Sequence, residues 1–160
     1  MIKIALILCI IHILYYVYVG IIYQFIKIGT IYNTPNEEVF RLRSKYNVNI
    51  KTFRKDSNHW GFHWFNTVYI NERLLNIKKG AKHPYKTLHF FFEHEYYHLR
   101  NHARKVFVSR LLFCFTPFLI LIHWALFAIV YITFAYFMHI IVDKIFEQQA
   151  NNYADKMIEL

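Results

Sequence analysis

An α+β membrane protein is the fold class that the sequence predicts: a small domain, made of a short antiparallel sheet and one motif-bearing helix, with about three transmembrane helices. Three observations predict it. The chain has 160 residues, room for one domain, yet 56% of them are apolar and 20% aromatic, more than a soluble core of that size uses. The apolar residues gather in two tracts, 4–26 and 111–142, and the second carries no charge. Between the tracts lies a mixed, basic segment ending in the pentapeptide His94-Glu95-Tyr96-Tyr97-His98.

The first tract runs for about 23 residues between Lys3 and Lys27, long enough to cross a bilayer as a helix. It exceeds a signal-peptide core, and no small-residue cleavage site follows it. Residues 1–28 therefore read as an uncleaved anchor, with Gln24 at the interface and His12 packed inside. Residues 29–105 form the soluble segment. Pro35-Asn36-Glu37-Glu38 reads as a helix start, with Thr34 or Asn36 as cap and acids in the first turn. A short helix over 39–46 and a strand over 48–53 follow. Residues 62–70 are rich in aromatic and β-branched side chains and predict the best strand. A turn at 71–75 and a polar loop at 78–83 lead to Pro84, which opens a helix over 85–105. Residues 106–142 hold the second tract, and 143–160 favour a C-terminal helix.

Charge sets the expected topology. Lys27, Arg41, Arg43 and Lys45 follow the first tract, and Arg100, Arg104, Lys105 and Arg110 precede the second; only Lys3 and the amino group lie beyond the anchor. The positive-inside rule puts 29–105 in the cytoplasm and the N-terminus outside, in an inner or plasma membrane. Topology and an anionic bilayer surface thus account for the excess of 19 Lys and Arg over 10 Asp and Glu, and no nucleic-acid-binding motif is present. Cys9 and Cys114 sit inside apolar runs, outside any metal-ligand cluster, which argues against a disulfide framework or a thiolate zinc site.

The pentapeptide carries the chemistry. Residues four apart on an α-helix share a face about 6 Å apart along the axis, so His94 and His98 can direct their imidazoles at one zinc ion. Glu95, beside the first ligand, can then act as general base on an activated water. A hydrolytic zinc site needs a third protein ligand. His102 continues the stripe but lies about 12 Å from His94 along a straight helix, and reads as a surface or second-layer residue. His59 and His63 share the four-residue spacing on a strand or loop, where that spacing does not bring side chains together, and read as non-ligands. His123 and His139 read as packing residues of apolar helices. Glu147 is the better third ligand: on a helix, Glu147, Ala150, Asn151 and Ala154 share one face. A carboxylate, two small residues allowing close approach and an amide able to orient a zinc histidine all suit that face.

An HExxH followed at a distance by E-x-x-A-[DN]-x-x-A resembles the membrane-embedded gluzincin metallopeptidases of the HtpX and CAAX prenyl protease type. The resemblance covers about 90 residues, 64–155, and implies a zincin-like catalytic domain. It implies His94, His98 and Glu147 as Zn²⁺ ligands, Glu95 as general base and Asn151 as the orienting residue; Asn101 also resembles an Asn of that family. It further implies that the strand at 65–70 is an edge strand, along which an extended peptide or protein substrate adds through Asn66, Val68 and Ile70. Three features depart from the pattern. Tyr97 stands where a small residue is usual, Asn151 replaces the commoner Asp, and the chain ends without the region that often stabilises the transition state. Tyr153 is the candidate oxyanion stabiliser, with His63 and Tyr69 as alternatives. If the second tract crossed once, Glu147 would emerge about 30 Å from the histidines; the zinc reading therefore requires a full or re-entrant hairpin, turning near Ile122-His123-Trp124-Ala125. The expected activity is that of a membrane-anchored zinc endopeptidase acting on peptides or on membrane proteins. A non-catalytic, membrane-anchored binding or sensor protein of gluzincin-like fold is the alternative.

Overall fold

The computed structural model describes residues 1–18, 22, 26, 29–54, 60–76 and 85–159. The second half of the expected anchor with Gln24 and Lys27, the loop at 78–83, His59 and Pro84 lie largely or wholly outside them. The chain forms two compact units, one of residues 1–26 with 103–147, the other of 27–102 with 148–160.

The second unit is α+β, with a four-stranded sheet in the order β1-β2-β4-β3. Strand β1 is Thr30–Tyr32, and helix α2 is Glu37–Tyr46. Asn36, not Thr34, caps α2: its side-chain oxygen accepts from the N–H groups of Glu38 at 3.0 Å and Val39 at 3.2 Å. Glu37 and Glu38 open the helix and Arg43 and Lys45 close it, complementing the helix dipole at both ends. Asn47 stops it in the left-handed conformation at φ 50°, a role Asn fills readily. Strand β2 is Asn49–Arg54, antiparallel to β1.

Residues 62–70 are not one strand. They fold as a hairpin, β3 (Gly61–Trp64) and β4 (Thr67–Asn71), turning at Phe65 with φ 48°. β4 inserts between β3 and β2 and runs parallel to β2, so the sheet is mixed rather than antiparallel. The burial of β4 explains its place: Val68, Tyr69, Ile70 and Asn71 are all buried, and a strand covered on both faces belongs inside a sheet. The expected edge strand is thus interior. β3 holds the edge.

Helix α3 is Lys86–Tyr97. Its Leu88 and Phe92, four apart and on one face, join Val39 and Leu42 of α2 and Ile50, Val68 and Ile70 of the sheet in one core. The expected helix over 85–105 is interrupted: His98–His102 form a π-helical turn before α4, Ala103–Cys114. Such turns widen a helix locally and recur at functional sites.

The first unit is helical. In helix α1 (Ile2–Val17), Ala5 and Cys9 are buried, and His12 is packed as expected: its Nε2 lies 3.2 Å from the Tyr131 hydroxyl and its ring meets Phe113 edge-on. After α4 the chain breaks in a 3₁₀ segment, Thr116–Leu121, and restarts as α5, Trp124–His139. The His123 ring nitrogen accepts from the Ala125 N–H at 3.2 Å, supplying the cap that the absent Gly, Asn or Ser would otherwise provide. Phe113 stacks on Phe134 and leans on Tyr131. A π-helical turn, Ile140–Phe146, joins α5 to α6, Glu147–Glu159. The helical run Trp124–Glu159 is long and apolar enough to cross a membrane, and none of the residues of α5 is buried. Among the described residues it alone meets that standard; α1 is apolar but has 16 residues, short of the roughly 20 a span needs.

Candidate metal centre

The site is built on the end of α3. Leu88 and Phe92 fix that helix to the core; at its end His98 is buried and His94 and Glu95 are half-buried. His94 Nε2 and His98 Nε2 lie 3.2 Å apart. Two imidazoles on one tetrahedral zinc, each about 2.0–2.1 Å from it, stand about 3.3–3.4 Å from one another. The pair therefore has the spacing of two corners of a zinc tetrahedron. Glu147, the first residue of α6, completes the set: ligand atoms of His94, His98 and Glu147 lie within 4.8 Å of one another. Two nitrogens and a carboxylate oxygen are a donor set suited to Zn²⁺.

The histidine tautomer agrees with this use. The Nδ1 of His94 lies 3.0 Å from Asn151 Oδ1. A carbonyl oxygen accepts only, so Nδ1 carries the proton and the Nε2 lone pair is left for a metal. Asn151 therefore takes the position expected of it, one turn along α6 from Glu147. Ala150 and Ala154 are fully buried on the same helix.

Glu95 is held from the sheet. His63, on β3, lies with Nδ1 2.9 Å from Glu95 Oε2, and its ring stacks on His98 at 5.8 Å. A Cβ on Gly61 would meet Glu95 Cγ at 3.3 Å and the Tyr69 carbonyl at 3.1 Å, so the absence of a side chain at 61 lets β3 approach Glu95 this closely. His63, through its contact with Glu95, belongs to the site. Its contact with Glu95 was invisible in the linear sequence, because it depends on β3 lying beside α3.

The other expected residues fall elsewhere. Val68 and Ile70 are core residues of an interior strand whose two edges pair with β2 and β3, and Asn66 is exposed in the hairpin turn, where its carbonyl accepts from Asn49 N–H at 3.0 Å. They cannot form an open substrate edge. Asn101 donates to the Tyr97 carbonyl at 3.1 Å and joins no site contact among those described. Tyr97 does not obstruct packing: its ring lies 4.8 Å from Tyr153 and 5.2 Å from His102. Tyr153 is thereby engaged on the Tyr97 side; burial first, then Glu93, Tyr96 and Tyr97, push its phenol up.

No family model, curated protein or solved structure matches the chain. The site rests on its own geometry.

One buried acid supports α3 from behind. Glu93 accepts a short hydrogen bond from the Tyr46 hydroxyl, and its Oε2 is buried with no hydrogen-bond partner among the described residues. Burial raises the Glu93 carboxyl above its usual range against the lowering effect of Tyr46. Tyr46→Phe is expected to lower stability by about 1–3 kcal/mol, because it strands a buried carboxyl group. Replacing both partners, Tyr46→Phe with Glu93→Leu, should recover much of that loss in thermal unfolding; a double variant no more stable than Tyr46→Phe would show that the bond is not the cause.

Proposed function

We propose that the protein is a membrane-anchored zinc endopeptidase similar to the gluzincins of the HtpX and CAAX prenyl protease type. The observation that carries this reading is the convergence of His94, His98 and Glu147, with Glu95 between the histidines and Asn151 behind one of them. A zinc ion held there supplies Lewis acidity to a scissile carbonyl and lowers the pKa of an attacking water.

The chain's own residues supply the rest. Glu95 takes the proton from the attacking water and delivers it to the leaving amine. His63 donates to Glu95 Oε2 and leaves Oε1 for the water, so that one carboxylate oxygen is anchored and the other works. The substrate backbone is proposed to add along β3, the edge strand beside Glu95, rather than along β4.

The detergent-purified full chain should contain one zinc per chain and cleave casein; a chelator should stop cleavage and added zinc restore it. Stoichiometric zinc with no chelator-sensitive cleavage of any peptide would instead support the binding or sensor reading. The basic residues around the soluble segment support a cytoplasmic site, with the uncharged tract 111–142 in the membrane. Reporters fused within 29–105 and after Leu160 are expected on the same side, and opposite sides would refute the hairpin.

A further inference from the structure

We infer that His102 and Gln149 are positioning residues that set the tautomer of the zinc ligand His98; this rests on the metal reading above. His102 is 3% exposed, so it is not the surface residue its place in the sequence allows. Its Nε2 lies 3.0 Å from Gln149 Oε1, and its Nδ1 lies 3.1 Å from His98 Nδ1. The Gln149 carbonyl oxygen accepts only, which assigns the His102 proton to Nε2 and leaves a lone pair on Nδ1. That lone pair accepts the His98 Nδ1 proton. His98 Nε2 is then the unprotonated nitrogen, and it is the one that faces His94 Nε2.

Both ligand imidazoles thus end on a side-chain amide of α6. His94 reaches Asn151 directly, whereas His98 reaches Gln149 through His102. The difference follows from the π-helical turn at His98–His102, which lets two rings four residues apart meet through their Nδ1 atoms. Helix α6 consequently carries one ligand and the outer contacts of the two others. Reversing the His98 tautomer would put a proton on the nitrogen that must bind the metal.

The test measures zinc affinity of the detergent-solubilised full chain by competition with a chromophoric chelator, and records the visible spectrum of the cobalt(II)-substituted protein. His102→Leu fills the space but accepts nothing, and should weaken zinc about 10–100-fold. His102→Gln retains an acceptor oxygen and should stay within about threefold of wild type, with the cobalt spectrum preserved. Gln149 is exposed, so its substitution spares the core should His102→Leu fail to fold. Gln149→Leu should weaken zinc and Gln149→Glu, which still accepts, should not. Equal affinities for Leu and Gln at 102, or for Leu and Glu at 149, overturn the relay. Wild-type protein that binds no zinc overturns both the relay and the metal reading, whereas zinc-binding wild type with unaffected variants overturns the relay alone.

Discussion

Glu95→Gln is expected to leave zinc bound and to lower peptide hydrolysis by about 10²–10⁴-fold, the range general acid–base catalysis supplies. The substitution is close to isosteric. Its amide oxygen can still accept from His63 Nδ1, which now stands 2.9 Å from the carboxylate, and its stem can still lie over Gly61. What it loses is basicity. The variant therefore separates proton transfer from site assembly: zinc content and melting temperature should match wild type while casein cleavage collapses. A loss under about tenfold would mean that Glu95 is not the base. Loss of zinc together with activity would mean that the residue acts in assembling the site.

Local chemistry made much of this legible in advance. The cap and charges of α2 were readable because Asn36, Glu37 and Glu38 act over one helical turn. His94, Glu95 and His98 were readable because helical spacing fixes which side chains share a face. Glu147 and Asn151 were readable as a pair for the same reason. What was missed depends on long-range pairing. Residues 62–70 satisfy strand propensity throughout, and only the turn at Phe65 divides them into β3 and β4. Phe is not a usual left-handed residue, so no turn signal marked the break. Once the hairpin forms, β4 moves to the interior and β3 to the edge, exchanging the residues that face Glu95. The π-helical turn at His98–His102 was equally silent. Within it His102 packs between Tyr97 and Gln149, and Gln149 is 47 residues away.

Glu147→Ala is expected to abolish the stabilisation that zinc confers. A ligand bound only by the folded state stabilises it by RT ln(1 + [L]/Kd), about 4 kcal/mol at a thousandfold excess over Kd. For a chain of this size that raises the melting temperature by roughly 8–16 °C. Glu147 is exposed, so its removal should change metal-free stability by no more than about 0.5 kcal/mol. The variant should therefore melt with the metal-free wild type and respond to neither zinc nor chelator. Gln148→Ala, one residue along the same exposed part of α6, should keep the full response and controls for helix propensity. A zinc-induced shift in Glu147→Ala equal to that of wild type would remove the third ligand from the site. Two histidines would then be left holding the ion, too few for the closed side of a hydrolytic zinc centre. The coupling has a structural source. Glu147 and Asn151 stand on one helix, and His94 and His98 stand on another. A metal bound by Glu147 and the two histidines would tie the start of α6 to α3 near the point where Asn151 accepts from His94, and its binding energy would add to that of the folded state.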